Sequence, residues 1–260
     1  MRVISVMSAK GGVAKTTTAL CLAEYLAKDH RVLFLDLDPQ ANATYTLLKV
    51  DIGEDLEGLT LYDVLSVFLL KKKNTLKEAI RKTEHLDLVP ASVELEPFKD
   101  FAKTKSRNPL VLLGAILKPV ADDYDFIVLD CPADLSVYVE SAIHISDLIL
   151  LPSSYDMYGF QGISMVLQAI FEIHSDDFSA FRVLYTQSNP RATKIKAQMG
   201  KYEQMLNELD AVLPFAIPLD QNVKNAQAKH ESLMHNKSYR NSRARLKYEQ
   251  LGEYILEVLS

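Results

Sequence analysis

The run Ser8-Ala9-Lys10-Gly11-Gly12-Val13-Ala14-Lys15-Thr16-Thr17 constrains the fold of this 260-residue chain more than any other segment. It lies between an apolar, strand-like stretch, Val3 to Met7, and a helical pattern that opens near Lys15. Strand, glycine-rich turn and helix in that order are the setting of a phosphate-binding loop. In such a loop the backbone N–H groups of Gly11, Gly12, Val13 and Ala14 point inward, and the helix N-terminus adds partial positive charge. Lys15 is then placed to meet the β- and γ-phosphates of a nucleotide, and the Thr16 hydroxyl to ligate Mg²⁺. The strict pattern has glycine six residues and one residue before the lysine, where this chain has Ala9 and Ala14. Alanine resists positive φ, so Ala14 is expected to carry helical dihedrals already. A Gly-Gly turn before an ordinary helix is the competing reading of the run taken alone.

Two later segments favour the phosphate loop. Arg31 to Leu35 is a strand-like run ending in Asp36-Leu37-Asp38-Pro39-Gln40-Ala41-Asn42, and Phe126 to Leu129 is another, ending in Asp130-Cys131-Pro132-Ala133. Carboxylates at the C-terminal ends of apolar strands fall on the ligand-binding edge of a parallel α/β sheet. Asp130 reads as the acid that holds Mg²⁺, and Asp38 as the residue that orients the attacking water. Thr16, Asp38 and Asp130 are thus the candidate metal residues, and Lys15, Asp38 and Asp130 are candidate catalytic ones. Each aspartate could instead cap a turn, but two in order behind a phosphate loop argue against coincidence.

Strand-like and helical runs alternate along the chain, which predicts a single α/β domain over residues 1–260. Its sheet should be mostly parallel and twisted, with helices on both faces. Strands are expected near Val3–Met7, Val32–Leu35, Leu86–Val89, Phe126–Leu129, Leu148–Leu151 and Phe181–Thr186, with a short one near Phe215–Ile217. Helices are expected near Lys15–Lys28, Leu61–Leu69, Thr75–Arg81, Pro109–Val120, Tyr138–Ile145, Gly162–Ser175, Lys196–Glu208 and Arg245–Leu259. No window supplies ~20 uninterrupted apolar residues, so no membrane span is indicated. The start runs straight into strand and loop, which leaves no room for a signal peptide. Cys21 and Cys131 make no metal-spacing pattern and fit a reducing, cytoplasmic setting. The net charge of −5 argues against a generally basic nucleic-acid binder. Yet Arg191 to Lys247 holds eleven Lys or Arg against five Asp or Glu, an asymmetry that hints at an anionic partner.

Three motifs together resemble one family. Lys-Gly-Gly-Val-x-Lys-Thr-Thr at 10–17, Asp-x-Asp-Pro-Gln-x-Asn at 36–42 and Asp-Cys-Pro at 130–132 are closely similar to the ParA/Soj partition ATPases, whose Walker A loop is deviant. The resemblance covers almost the whole chain, with Thr60–Leu65, Leu86–Ser92, Asp147–Pro152 and Tyr158–Gly162 as further family-like segments. It implies a P-loop ATPase that takes ATP/ADP and Mg²⁺ and closes into a homodimer with ATP. The dimer would bind DNA without sequence preference, near the nucleoid, and be stimulated by a ParB-like centromere-binding protein, in plasmid or chromosome segregation. By the same resemblance, Lys10 would cross the dimer to the partner's phosphates, and Thr17 would help hold the α-phosphate. Gln40 and Asn42 would lie in switch I. Pro218 and Asp220, in Ile217-Pro218-Leu219-Asp220-Gln221-Asn222-Val223, would contact adenine.

The chain departs from the family at that loop. Many relatives read Ile-Pro-Arg-Asn-Val-Arg, whereas Leu219 and Asn222 replace the arginines, which thins the usual DNA patch. Lys224 and Lys229 could compensate, and Arg191, with Lys194 nearby, matches a basic family position. The chain also begins at the ATPase core, without the helix-turn-helix extension of larger plasmid members. A MinD-like membrane-positioning ATPase is the alternative, but the tail Tyr248 to Leu259 carries Glu249, Glu253 and Glu257 and no Lys or Arg, unlike a lipid-binding helix. No stable membrane insertion is therefore expected. ParA-like positioners of protein cargo share the same motifs. A metabolic relative of the iron–sulfur reductase type would need cluster cysteines that Cys21 and Cys131 do not supply.

Overall fold

The apolar runs read as strands do pair, and in parallel. In the computed structural model, which describes residues 1–51, 53–174, 179–187 and 204–259, seven strands form one sheet. They are β1 (Arg2–Val6), β2 (Val32–Asp36), β3 (Arg81–Lys82), β4 (Asp87–Val89), β5 (Phe126–Asp130), β6 (Leu148–Ser153) and β7 (Phe181–Tyr185). Their order is β3-β4-β2-β5-β1-β6-β7. All neighbours run parallel except the edge strand β3, which is antiparallel to β4. Strands buried on both faces read as unbroken apolar runs, and β2 and β5 are buried at every position.

Alternate residues of each strand feed two cores. Val3, Leu33, Leu35, Ile127 and Leu129 face one layer of helices. That layer holds α3 (Leu61–Lys71), α5 (Leu95–Lys105), α6 (Leu112–Leu117), α7 (Val137–Ile145) and α8 (Met157–His174), with the short α4 (Leu76–Ala79). Ile4, Val6, Phe34, Phe126 and Val128 face the other. There lie α1 (Lys15–Leu26), α9 (Gln221–Ala228) and α10 (Arg243–Leu259), while α2 (Asn42–Leu48) follows β2. Helix α1 packs against α10. A Cβ built on Gly252 would stand 2.0 Å from Cδ1 of Tyr25, so α10 can lie at this depth only with glycine there.

Register places the chemistry. Val6 and Asp36 are both paired with Asp130, so β1, β2 and β5 end level. The loop after β1 and the two acidic segments thereby share one sheet edge.

Several elements differ from expectation. Residues 215–217 form no strand. Val212 makes an isolated parallel bridge to Val183, Pro218 is a second isolated bridge residue, and Ile217 N donates to Tyr185 O at 2.8 Å. Pro214 and Pro218 bracket the segment and have no N–H to extend a ladder. The helix expected at Pro109–Val120 is α6 with a 3₁₀ turn on either side, each containing a proline. Helices α2, α5 and α9 and strand β3 lie outside the expected elements. The expected helix Lys196–Glu208 falls largely outside the described residues, its last five positions, 204–208, being helical. Among the described residues no helix is long and apolar enough to cross a membrane.

Candidate functional site

The glycine-rich loop folds as a cradle at the level end of β1. Gly12 has φ +76°, and Ala14 has φ +58° and ψ +33°. The expectation of helical dihedrals at Ala14 is therefore wrong: it takes the left-handed conformation that the strict pattern gives to glycine. It caps α1 with backbone alone, its carbonyl accepting from Thr18 N at 2.9 Å and Thr18 Oγ1 at 2.8 Å. The β7 end braces the loop from outside. Thr186 Oγ1 donates to Val13 O and Gln187 Nε2 to Gly12 O, each at 2.8 Å. Neither brace was expected from sequence.

Lys15 leaves the first turn of α1 and meets both predicted acids. Its Nζ lies 3.4 Å from Asp38 Oδ2 and 3.8 Å from Asp130 Oδ1. Burial disfavours the ammonium, but Asp130, Asp38, Cys131 and Asp36 outweigh it, so its pKa is raised. Asp130 is fully buried. Lys15 and Thr16 favour its ionised form, yet neither of its oxygens is in a hydrogen bond of normal geometry. Burial and the nearby Asp38 raise its pKa against them. A buried carboxylate with no close hydrogen bond, beside a threonine hydroxyl, is chemistry that fits Mg²⁺, which keeps waters and phosphate oxygens as its other ligands. Among the described residues no group of three or more His, Cys, Asp or Glu forms a protein-only metal centre.

Asp36 had no assigned role, and it organises the segment after β2. One oxygen accepts from Thr44 N at 2.9 Å and Thr44 Oγ1 at 2.8 Å, the other from Asp38 N at 3.1 Å. Burial and the charge of Asp130 push its carboxyl up. Asp38 in turn accepts from Gln40 N at 3.0 Å. Ala41, the backbone cap of α2, is also left-handed, with φ +53°. The Asp-x-Asp spacing at a strand end was the available signal for Asp36.

Lys10 points away from this cluster. Its Nζ donates to Ser154 Oγ at 2.7 Å and to both oxygens of Asp156 at 3.0 and 3.1 Å, with the Tyr158 ring 5.8 Å away. The Asp156 carboxyl also accepts from Gly159 N at 2.7 Å. Burial works against its ionised form, but these donors hold its pKa below the ordinary value.

A cavity of about 970 Å³ joins the loop, Lys15 and Asp38 to Pro218, Asp220 and Lys224. Thr17 lines it and accepts from Gln227 Nε2 of α9 at 2.8 Å. Asp220 is spent on structure. Oδ1 accepts from Asn222 N (2.9 Å) and Asn222 Nδ2 (3.0 Å), capping α9, and Oδ2 accepts from Ser242 Oγ (2.8 Å) and Ala244 N (3.2 Å) at the start of α10. Lys224 and Lys229 are exposed. Arg191 and Lys194 lie outside the described residues.

Comparison with known proteins agrees with this geometry. A family model described as an AAA domain, AAA_31, matches residues 1–183. An uncharacterised protein of Methanocaldococcus jannaschii is 27% identical over 259 residues, 99% of each chain. The sporulation initiation inhibitor protein Soj of Bacillus subtilis is 32% identical over 176 residues, 65% of this chain and 64% of Soj. This chain therefore aligns with somewhat less than two thirds of Soj. Among solved structures, a putative plasmid partition protein of Borrelia burgdorferi bound to AMPPNP has the same fold, with TM-score 0.79 and 23% identity over 98% of both chains. With the loop, the Asp38 segment and Asp130 on one sheet edge and an AAA-domain match over residues 1–183, the chain belongs to the ParA/Soj family of the AAA-domain proteins.

Proposed function

We propose that the protein is a Mg²⁺-dependent ATPase of the partition type, which dimerises on ATP, binds DNA without sequence preference and hydrolyses ATP under stimulation by a ParB-like partner. The observation that carries the ATPase reading is the convergence of Asp38 and Asp130 on Lys15, with Lys15 and Asp38 lining one cavity. A cation so enclosed by carboxylates has its charge to give when a triphosphate arrives. Lys15 would then turn from Asp38 to the phosphates, and the Asp38 carboxylate would be free to orient the attacking water. Mg²⁺, held by Thr16 and Asp130, would neutralise phosphate charge as the bond breaks. Lys10 would leave Ser154 and Asp156 and neutralise charge on the partner's nucleotide. Fluorescent-ATP titration with hydrolysis assays tests the reading. Lys15→Gln is expected to lose ATP binding, and Asp38→Ala to keep binding while losing hydrolysis and accumulating dimer. Unchanged ATP affinity in Lys15→Gln overturns the phosphate-loop assignment.

A further inference from the structure

The cavity does not end with the phosphate loop. Thr17, Leu20, Cys21 and Glu24 all line it, and their spacing puts them on one face of α1. The stretch from Gln227 to Ser232 runs beside that face. Gln227 Nε2 ties it to Thr17 at 2.8 Å, and Ser232 Oγ ties it to Glu24 Oε2 at 2.7 Å. A volume of about 970 Å³ lies at the upper end for a small-molecule site, and it leaves room for more than a triphosphate.

Glu24 is the residue at that end which the proposed chemistry leaves unexplained. It is only 5% exposed. Burial pushes its carboxyl up to about 7, against the hydrogen bonds from Ser232 and the Met234 backbone. Its partners are a hydroxyl and an N–H rather than a cation, and a carboxylate offers about four lone-pair sites. Spare acceptor capacity in a cavity wall calls for a ligand N–H. Asp220, the carboxylate expected to serve there, already accepts from four donors of the protein.

Resting on the nucleotide reading above, we infer that the end of the cavity at Glu24 seats the nucleobase, and that Glu24 is a specificity-determining residue accepting a hydrogen bond from the exocyclic amine of adenine. Ser232 and the Met234 backbone fix the carboxylate, and its remaining lone pairs are left for the base.

The test compares ATP with purine riboside triphosphate, which lacks only that amine, and uses inorganic tripolyphosphate as a probe of the phosphate end alone. At pH 8, where the Glu24 carboxyl is ionised, wild type is expected to bind ATP at least about tenfold tighter than the purine analogue, the range for a hydrogen bond to a charged group. In Glu24→Met the ratio should fall to within about threefold. Glu24→Gln keeps one carbonyl acceptor and should lie between. Tripolyphosphate affinity should be the same in all three, with thermal melting showing that each variant folds. A ratio unchanged by both substitutions, or a wild-type preference for ITP or GTP over ATP, overturns the inference and leaves the phosphate loop standing. Failure of wild type to bind both ATP and tripolyphosphate overturns the nucleotide reading and this inference with it.

Discussion

Ala14 and Ala41 each precede a helix beside the phosphate site, and each holds a left-handed backbone that costs a non-glycine residue about 1–2 kcal/mol. Ala14→Gly should relieve that strain. Glycine's greater freedom in the unfolded chain offsets part of the gain, so a net stabilisation of about 1 kcal/mol is expected, read as a higher urea midpoint at unchanged slope. A variant less stable than wild type would contradict it. Glu24 gives a pH signature of opposite kind. Its carboxyl is raised from 4.5 to about 7 by burial, so between those values the folded chain holds the extra proton. Stability from this group is full below about pH 4.5 and is lost as pH rises through about 7, on the order of 3 kcal/mol. Glu24→Gln should flatten that decline in denaturation midpoints taken from pH 5 to 8; curves that stay parallel would show that Glu24 is not the source. The meeting of Lys15, Asp38 and Asp130 was legible in the sequence because each stands in a spaced motif just after an apolar strand. Glu24 was not, because one glutamate on a helix looks like a solvated surface residue until α9 and the stretch after it cover it.

At the scale of elements, the strands were the readable part: parallel strands covered on both faces leave unbroken apolar runs. The helices missed have local causes. Helix α5 carries Pro97 in its first turn, a residue that reads as a breaker but is tolerated there. Helix α9, Gln221–Ala228, is rich in Gln and Asn and has no acidic residue in its first turn. Its start depends on Asp220, which also receives the N–H of Ala244 in α10. Asp220→Ala should therefore uncap two helices at once. At about 1 kcal/mol for each cap, a loss of about 2 kcal/mol is expected in chemical denaturation, and Asp220→Asn should recover part of it. A loss no larger than that of a surface substitution would mean that the shared cap carries little.

Across the whole molecule, the exposed cations Lys224, Lys229, Arg240 and Arg243 cluster in or near α9 and α10 of an acidic chain. On the proposed reading they meet DNA phosphates, and dimerisation doubles their number. Anisotropy on two unrelated duplexes should then show binding that needs ATP and ignores sequence. Its logarithm should fall against log salt with a slope of about −0.9 per neutralised phosphate. Lys224→Ala should make that slope shallower on both duplexes alike; equal binding with and without ATP would sink the switch. The seat of Gly252 against Tyr25 reaches further than packing. With the Tyr25 ring of α1 seated directly on the Gly252 backbone of α10, the two helices are expected to loosen together, and α1 begins at the phosphate loop. The two helices should behave as a single cooperative unit in amide exchange. Nucleotide loading should thus slow exchange at Leu251, Gly252 and Ile255, three residues that do not line the cavity, so that the last helix of the chain reports what its first helix holds.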